Sequence, residues 1–119
     1  KTHSSTERVK DMDEEKYEVA TELIAHAGVA KSCALEAIDE ASEGRFDSAE
    51  ELIQEGRAEM VSAHDAQFGL LTQEASGNPV DVNIILVHAL DHLTMAVMTL
   101  DLAERIISLQ KRLSDVEGK

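Results

Sequence analysis

Residues 84–113 carry the strongest hydrophobic pattern in the chain. Apolar side chains recur there at the spacing of a helix face and not at the alternating spacing of a strand. One stripe consists of Leu86, Leu90, Leu93, Val97 and Leu100. A second stripe, on nearly the opposite side, consists of Met95, Met98, Leu102, Ile106, Leu109 and Leu113. Because a helix that is apolar on two faces requires burial on both, we expect one face in the chain's own core and the other against further copies of the chain.

A first helix is predicted over about residues 13–43. Acidic side chains at 13–15 suit the positive end of its dipole. A face of mostly small side chains follows at helical spacing, made up of Ala20, Leu23, Ala27, Ala30, Ala34, Ala37 and Ala41. Gly44 can adopt the left-handed conformation that ends many helices. Residues 1–12 are polar, mixed in charge and without an apolar period, so we predict a flexible N-terminal arm there.

A second helix is predicted over about residues 47–76. Asp47 and Glu50 have the spacing of a capping box with aspartate as the N-cap residue. The run Gly-Asn-Pro at 77–79 stops the helix. Since the connection to the first helix is short, the two helices are expected to be antiparallel.

The third helix is predicted over about residues 84–115. Asn83 is the expected N-cap residue, and Asp81 is the competing choice. Three long helices with short connections predict an all-α, up-down-up antiparallel three-helix bundle. The whole of residues 13–119 forms one domain in this interpretation.

Charge and composition restrict the range of partners. The chain has 119 residues and a formal net charge of −13, so it lacks the basic surface that a phosphate backbone or an anionic membrane requires. We therefore expect no nucleic-acid partner. Without an uninterrupted apolar run of membrane-spanning length or a signal-peptide pattern, we also expect no direct membrane insertion. The single Cys33 cannot form an internal disulfide, so we expect the protein in the reducing cytoplasm. The simplest interpretation of Cys33 is a small buried side chain.

His88, Asp91 and His92 form the strongest candidate for chemistry. Their spacing places two imidazoles and a carboxylate on one helix face, near the N-terminal end of the third helix. A neutral imidazole is a nucleophile that can carry a phosphoryl group, and the helix start favours a phosphate. The same side chains offer metal ligands, although one helical turn cannot easily direct all three at one ion. If copies of Asp91 met in an oligomer, they would have to be protonated or bridged by a cation.

Other interpretations of these residues stay open from the pattern alone. Histidines among apolar residues are often hydrogen-bonded core residues, which would suit a non-catalytic helical oligomer with a regulatory or scaffolding role. A metal-binding bundle protein would need further ligands that one chain does not offer. His64 and Gln67, on the second helix, are candidates for shaping the same site, but helix packing also explains them. His26 is interpreted as structural.

Four segments together resemble a known family. They are IAHAGVAKSCALEAI at 24–38, GRFDSAEELI at 44–53, AHDAQ at 63–67 and LVHALDHLT at 86–94. Their order and content are similar to the lactose and cellobiose type of enzyme IIA in the bacterial phosphoenolpyruvate-dependent sugar phosphotransferase system. The resemblance covers about residues 15–113.

The resemblance implies a specific activity. Family members are three-helix subunits that assemble as trimers of nine helices, which would use the second stripe. The histidine that matches His88 is the catalytic one: it accepts a phosphoryl group from the phosphorylated histidine phosphocarrier protein and passes it to a cysteine of the cognate IIB component. The aspartate that matches Asp91 lies at the trimer axis, where one Mg²⁺ per trimer offsets three carboxylates. His92, His64 and Gln67 are then expected to shape the site around His88.

Two positions depart from the family pattern H-x-Q-D-H-L-M. Leu90 replaces the glutamine and Thr94 replaces the methionine. On the helical wheel, position 90 lies far from His88 and in line with Leu86 and Leu93. We therefore expect Leu90 to pack in the core, and we retain His88 as the phosphoryl acceptor.

Overall fold

The computed structural model describes the backbone of residues 5–118 and the side chains of residues 17–118. That part of the chain forms three helices and no strand. They are α1 (Ser5–Ser42), α2 (Phe46–Ala75) and α3 (Ile84–Val116). Because the helices are long and their connections short, they pack side by side in alternating directions. The predicted all-α, up-down-up antiparallel three-helix bundle is confirmed.

The first helix begins earlier than its apolar pattern suggests. α1 starts at Ser5, whereas the sequence predicts a start near residue 13. Residues 5–12 include glutamate, arginine, lysine and methionine, which have good helix propensity. Extending an existing helix costs much less than nucleating one, so a packed helix can continue into a polar segment. The rest of the predicted N-terminal arm, residues 1–4, lies outside the described residues.

α1 is the central element of the core. It packs along both α2 and α3, while α2 and α3 meet only along a shorter seam. Its buried face is the predicted one, made up of Ala20, Leu23, Ala27, Ala30, Ala34, Ala37 and Ala41. Methyl side chains keep the helices close together, so the core is aliphatic and closely packed.

α3 has two apolar faces, as predicted. Leu86, Leu93 and Leu100 are buried, and Leu90 and Val97 pack against them half-buried. The residues of the second stripe are 39% to 61% exposed in the single chain. An 18-residue window of α3 reaches a mean hydropathy of 1.4, so the helix is long and apolar enough to span a membrane by length and composition alone, a test that core helices of soluble proteins also pass.

The turn between α1 and α2 confirms one predicted cap. Gly44 has φ of +83° and donates its N–H to the carbonyl of Ala41 at 3.0 Å. The N–H of Arg45 donates to the carbonyl of Glu40 at 2.9 Å. This pair of bonds is a Schellman motif, which requires the left-handed conformation that glycine adopts without a steric penalty.

The predicted capping box at the start of α2 is wrong. The N-cap residue is Arg45, which makes no side-chain cap, and Asp47 already lies in the first turn. The tight turn brings the carbonyl of Arg45 into the first helical hydrogen bond, from Ala49 N at 3.0 Å. The helix therefore starts before Asp47, whose carboxylate still lies near the positive end of the dipole.

Candidate active site

Two histidines on α3 contact each other directly. The Nε2 atoms of His88 and His92 lie 3.1 Å apart, and the rings meet edge to face with centroids 4.5 Å apart and an interplanar angle of 79°. His88 is exposed and His92 is half-buried. Because a neutral imidazole has one donor and one acceptor nitrogen, one of the two rings donates this hydrogen bond and the other accepts it.

The start of α3 places a positive helix end beside the histidine pair. Asn83 is the N-cap residue, as predicted, and its side-chain oxygen accepts the N–H of Leu86 at 2.8 Å. The first backbone bond of the helix runs from Val87 N to the Asn83 carbonyl at 3.1 Å. The N–H groups of Ile84 and Ile85 come before this bond and have no acceptor within the helix. His88 therefore lies about one turn from a group of backbone donors that favours anions.

Asp91 is exposed and lies on the same helix as the two histidines, between them in the chain. In the part of the chain that the structure describes, no three His, Cys, Asp or Glu side chains come together in a way that could hold a metal ion. A metal at Asp91 would therefore need carboxylates from more than one chain. Carboxylate oxygens are the ligands that Mg²⁺ prefers, so the residue type fits this ion.

His64 and Gln67 lie in a different place from the histidine pair. They line an open groove of about 240 Å³ between α2 and α3, together with Thr94, Met98 and Asp101. Neither His88 nor His92 lines this groove. Within one chain, the structure thus joins His92 to His88 but does not bring His64 and Gln67 to them.

The structure adds polar contacts that local spacing does not reveal. His26 Nδ1 lies 2.6 Å from a carboxylate oxygen of Glu59 on α2, which supports a structural role for His26. Arg57 donates to Asp101 at 2.9 Å and to Glu104 at 2.7 Å, and thus links α2 to α3. Hydrogen bonding to Glu104, and secondarily to Asp101, raises the pKa of Arg57. All three contacts join different helices, so no sequence spacing predicts them.

Cys33 is buried and faces α2. Burial raises the pKa of its thiol, and the charge of Glu55 raises it further. The thiol therefore stays protonated near neutral pH, and a protonated thiol is a poor nucleophile. This agrees with the interpretation of Cys33 as a small core residue.

Comparison with known proteins identifies the family. The sequence profile described as "PTS system, Lactose/Cellobiose specific IIA subunit" matches residues 18–111. The chain belongs to this family of enzyme IIA subunits. The residues that the sequence predicts for the site, His64, Gln67, His88, Asp91 and His92, all lie inside the matched segment.

Individual relatives support the assignment along most of the chain. The lactose-specific EIIA component of Lacticaseibacillus casei is 38% identical over 97 residues, which cover 82% of this chain and 87% of the relative. The lichenan-specific phosphotransferase enzyme IIA component of Bacillus subtilis is 34% identical over 107 residues, covering 90% and 97%. The crystal structure of a cellobiose-specific enzyme IIA from Bacillus anthracis superposes with a TM-score of 0.82 at 32% identity, covering 84% and 92%.

The two departures of this IIA subunit from the motif have different surroundings. Leu90 is half-buried against the bundle core, as expected from its place in the first stripe. Thr94 is exposed, and its hydroxyl donates to the Leu90 carbonyl at 3.1 Å. Leucine at position 90 thus contributes apolar contacts to the core, which is the packing role that the helical wheel predicts.

Proposed function

We propose that this IIA subunit carries a phosphoryl group on His88. It accepts the group from the phosphorylated histidine phosphocarrier protein and passes it to a cysteine of the cognate IIB component. The cycle serves uptake of a sugar of the lactose, cellobiose or chitobiose type and takes place in the cytoplasm. In each transfer a phosphorus bond to the acceptor forms while the bond to the donor breaks, and the bonding electron pair returns to the donor.

The exposure of His88 at the start of α3 is the observation that carries the proposal. A phosphoryl acceptor has to meet the phosphorus of a donor protein in line, which a ring sealed in the core could not do. The N–H groups at the helix start, which have no acceptor within the helix, provide the positive potential that a phosphate needs in a chain of net charge −13. A purely structural histidine would not require this exposed position, so the geometry favours the carrier over the scaffold.

Phosphorylation of the purified protein tests this proposal. After incubation with phosphoenolpyruvate, the general phosphotransferase proteins and Mg²⁺, we expect intact mass spectrometry to show one acid-labile phosphoryl group per chain. His88→Ala should abolish the mass gain. His26→Ala, the matched control on α1, should retain it because His26 pairs with Glu59 elsewhere. No mass gain with an active donor would refute the carrier role and favour the non-catalytic oligomer.

We further propose that three subunits associate through the second stripe of α3. Its six large apolar side chains are exposed in the single chain, and burying them would remove apolar surface from water. Asp91 copies would then face one another, and their mutual repulsion would be relieved by one Mg²⁺ per trimer. The ion would supply charge neutralisation between subunits, while the phosphoryl group stays on His88.

Asp91→Leu distinguishes this arrangement from others. Since the variant has no axial carboxylates, we expect a trimer at least as tight as the wild type by light scattering, and no effect of a chelator on it. Leu102→Asp, which adds charge to the same stripe, should weaken the trimer. A helical but monomeric Asp91→Leu protein would contradict the axial position of Asp91.

A further inference from the structure

The hydrogen bond between His88 and His92 indicates a functional role for the His92 ring. We propose that His92 is a positioning residue that donates its Nε2–H to His88 Nε2 in the resting protein and then to a phosphoryl oxygen after transfer. The inference rests on the proposed function of His88 as phosphoryl acceptor. It adds a second residue whose effect is exerted through His88 and through the group that His88 carries.

The 3.1 Å separation of the two Nε2 atoms restricts the tautomers of the neutral pair. If His92 donates, His88 bears its proton on Nδ1 and keeps a lone pair on Nε2. If His88 donates, its Nε2 bears the proton and cannot attack until that proton has left. Nε2 is the ring nitrogen farther from the backbone and His88 is an exposed residue, so we take Nε2 as the attacking atom. Donation by His92 is therefore the arrangement that prepares His88 for attack.

The transfer step balances without a further reactant. The Nε2 lone pair of His88 forms the new bond to phosphorus, the bond from phosphorus to the donor's nitrogen breaks, and that electron pair stays with the donor. The protons on His88 Nδ1 and His92 Nε2 remain where they are. His92 only redirects its N–H from a nitrogen lone pair to an oxygen of the phosphoryl group.

The helix keeps the His92 N–H close to both of its acceptors. Residues four apart on a helix lie side by side, so His92 stays next to His88 whatever binds there. Hydrogen bonds to a charged oxygen are about twice as strong as those between neutral groups. The N–H of His92 thus stabilises the phosphorylated form more than it stabilises the resting lone pair, and this preference favours acceptance of the phosphoryl group.

The resting tautomer provides a test that needs no phosphoryl transfer. In protein with ¹⁵N-labelled histidine, long-range ¹H–¹⁵N correlation spectra should show His88 protonated on Nδ1. His92→Leu should abolish that preference, and His92→Gln, which keeps an N–H donor, should retain most of it. Protonation of wild-type His88 on Nε2, or an unchanged His88 in His92→Leu, would overturn the inference.

Transfer kinetics provide a second measurement. We expect His92→Leu to accept the phosphoryl group about tenfold more slowly, because a rate change of this size corresponds to the loss of about one hydrogen bond to a charged group. The phosphorylated variant should also lose the group faster by hydrolysis. His92→Gln should recover most of both rates at unchanged helicity and oligomeric state. Equal defects in the two variants would mean a structural role and would refute the inference. If wild-type protein accepted no phosphoryl group, the proposed function would fail, and the tautomer spectra would still report on the pair.

Discussion

Gly56 on α2 offers a quantitative test of the closely packed core. The residue is buried at the meeting point of all three helices. A Cβ added there would lie 2.8 Å from Leu100 Cδ2, 3.3 Å from the Ala30 carbonyl oxygen and 3.4 Å from Cys33 Cβ. Leu100 is fully buried and the Ala30 contact is backbone, so the neighbours have little room to move. The perturbation is therefore Gly56→Ala, an insertion of one methyl group.

Two opposing contributions determine the sign of this change. Alanine favours a helix interior over glycine by about 0.8–1 kcal/mol. Overpacking of a dense core costs about 1–3 kcal/mol. With one contact well below normal separation and a second against backbone, we place the steric cost in the upper half of that range. The expected net loss is about 1–2 kcal/mol of unfolding free energy.

Gly69→Ala is the matched control in the same helix. Gly69 is exposed, and an added Cβ would meet nothing within 4 Å. Only the propensity contribution applies, so this variant should gain about 0.5–1 kcal/mol. The two variants should differ by about 2 kcal/mol, or about 8 °C in Tm for a domain of this size.

Urea and thermal unfolding followed by circular dichroism measure both changes. All proteins have to be compared at one chain concentration, because association would make the midpoint concentration-dependent. Stability of Gly56→Ala equal to or above that of the wild type would refute the close approach of α2 to α1 and α3. Opposite signs for the two variants would exclude a general effect of replacing glycine in α2.

Two further changes test single elements. Asn83→Ala should cost about 1 kcal/mol and speed amide exchange at Leu86, because the side-chain oxygen that accepts the Leu86 N–H is lost. Asn83→Asp, which keeps an acceptor oxygen, should be nearly neutral. Equal exchange in both variants would contradict the cap. For Cys33, burial and then Glu55 raise the thiol pKa in the folded protein, so alkylation at mildly alkaline pH should be more than about tenfold slower in the native than in the urea-unfolded chain. Because the unfolded thiol ionises first, stability should fall as pH rises above the ordinary thiol pKa, and Cys33→Ala should lose this part of the pH dependence.

Local pattern in the sequence determines most of the fold. Residues within a few positions of one another determine which segments are helical and where the caps at Gly44 and Asn83 lie. They also determine the alanine face of α1 and the two apolar faces of α3. The resemblance to the enzyme IIA family also depends on local sequence, since it rests on short motifs that occur in the same order. The spacing of His88 and His92 likewise predicts that they share a face, because neighbours on a helix surface are set by the helix repeat alone.

Tertiary packing decides the contacts between helices. The pairs His26 with Glu59 and Arg57 with Asp101 depend on how α2 is rotated and shifted against its neighbours. The same register places His64 and Gln67 in a groove away from His88. Because of the tight turn at Gly44, α2 starts before Asp47, so Asp47 is not the N-cap residue and the predicted capping box does not form. Rotation and register are fixed by the summed burial of many side chains, and no single spacing along the chain contains that information.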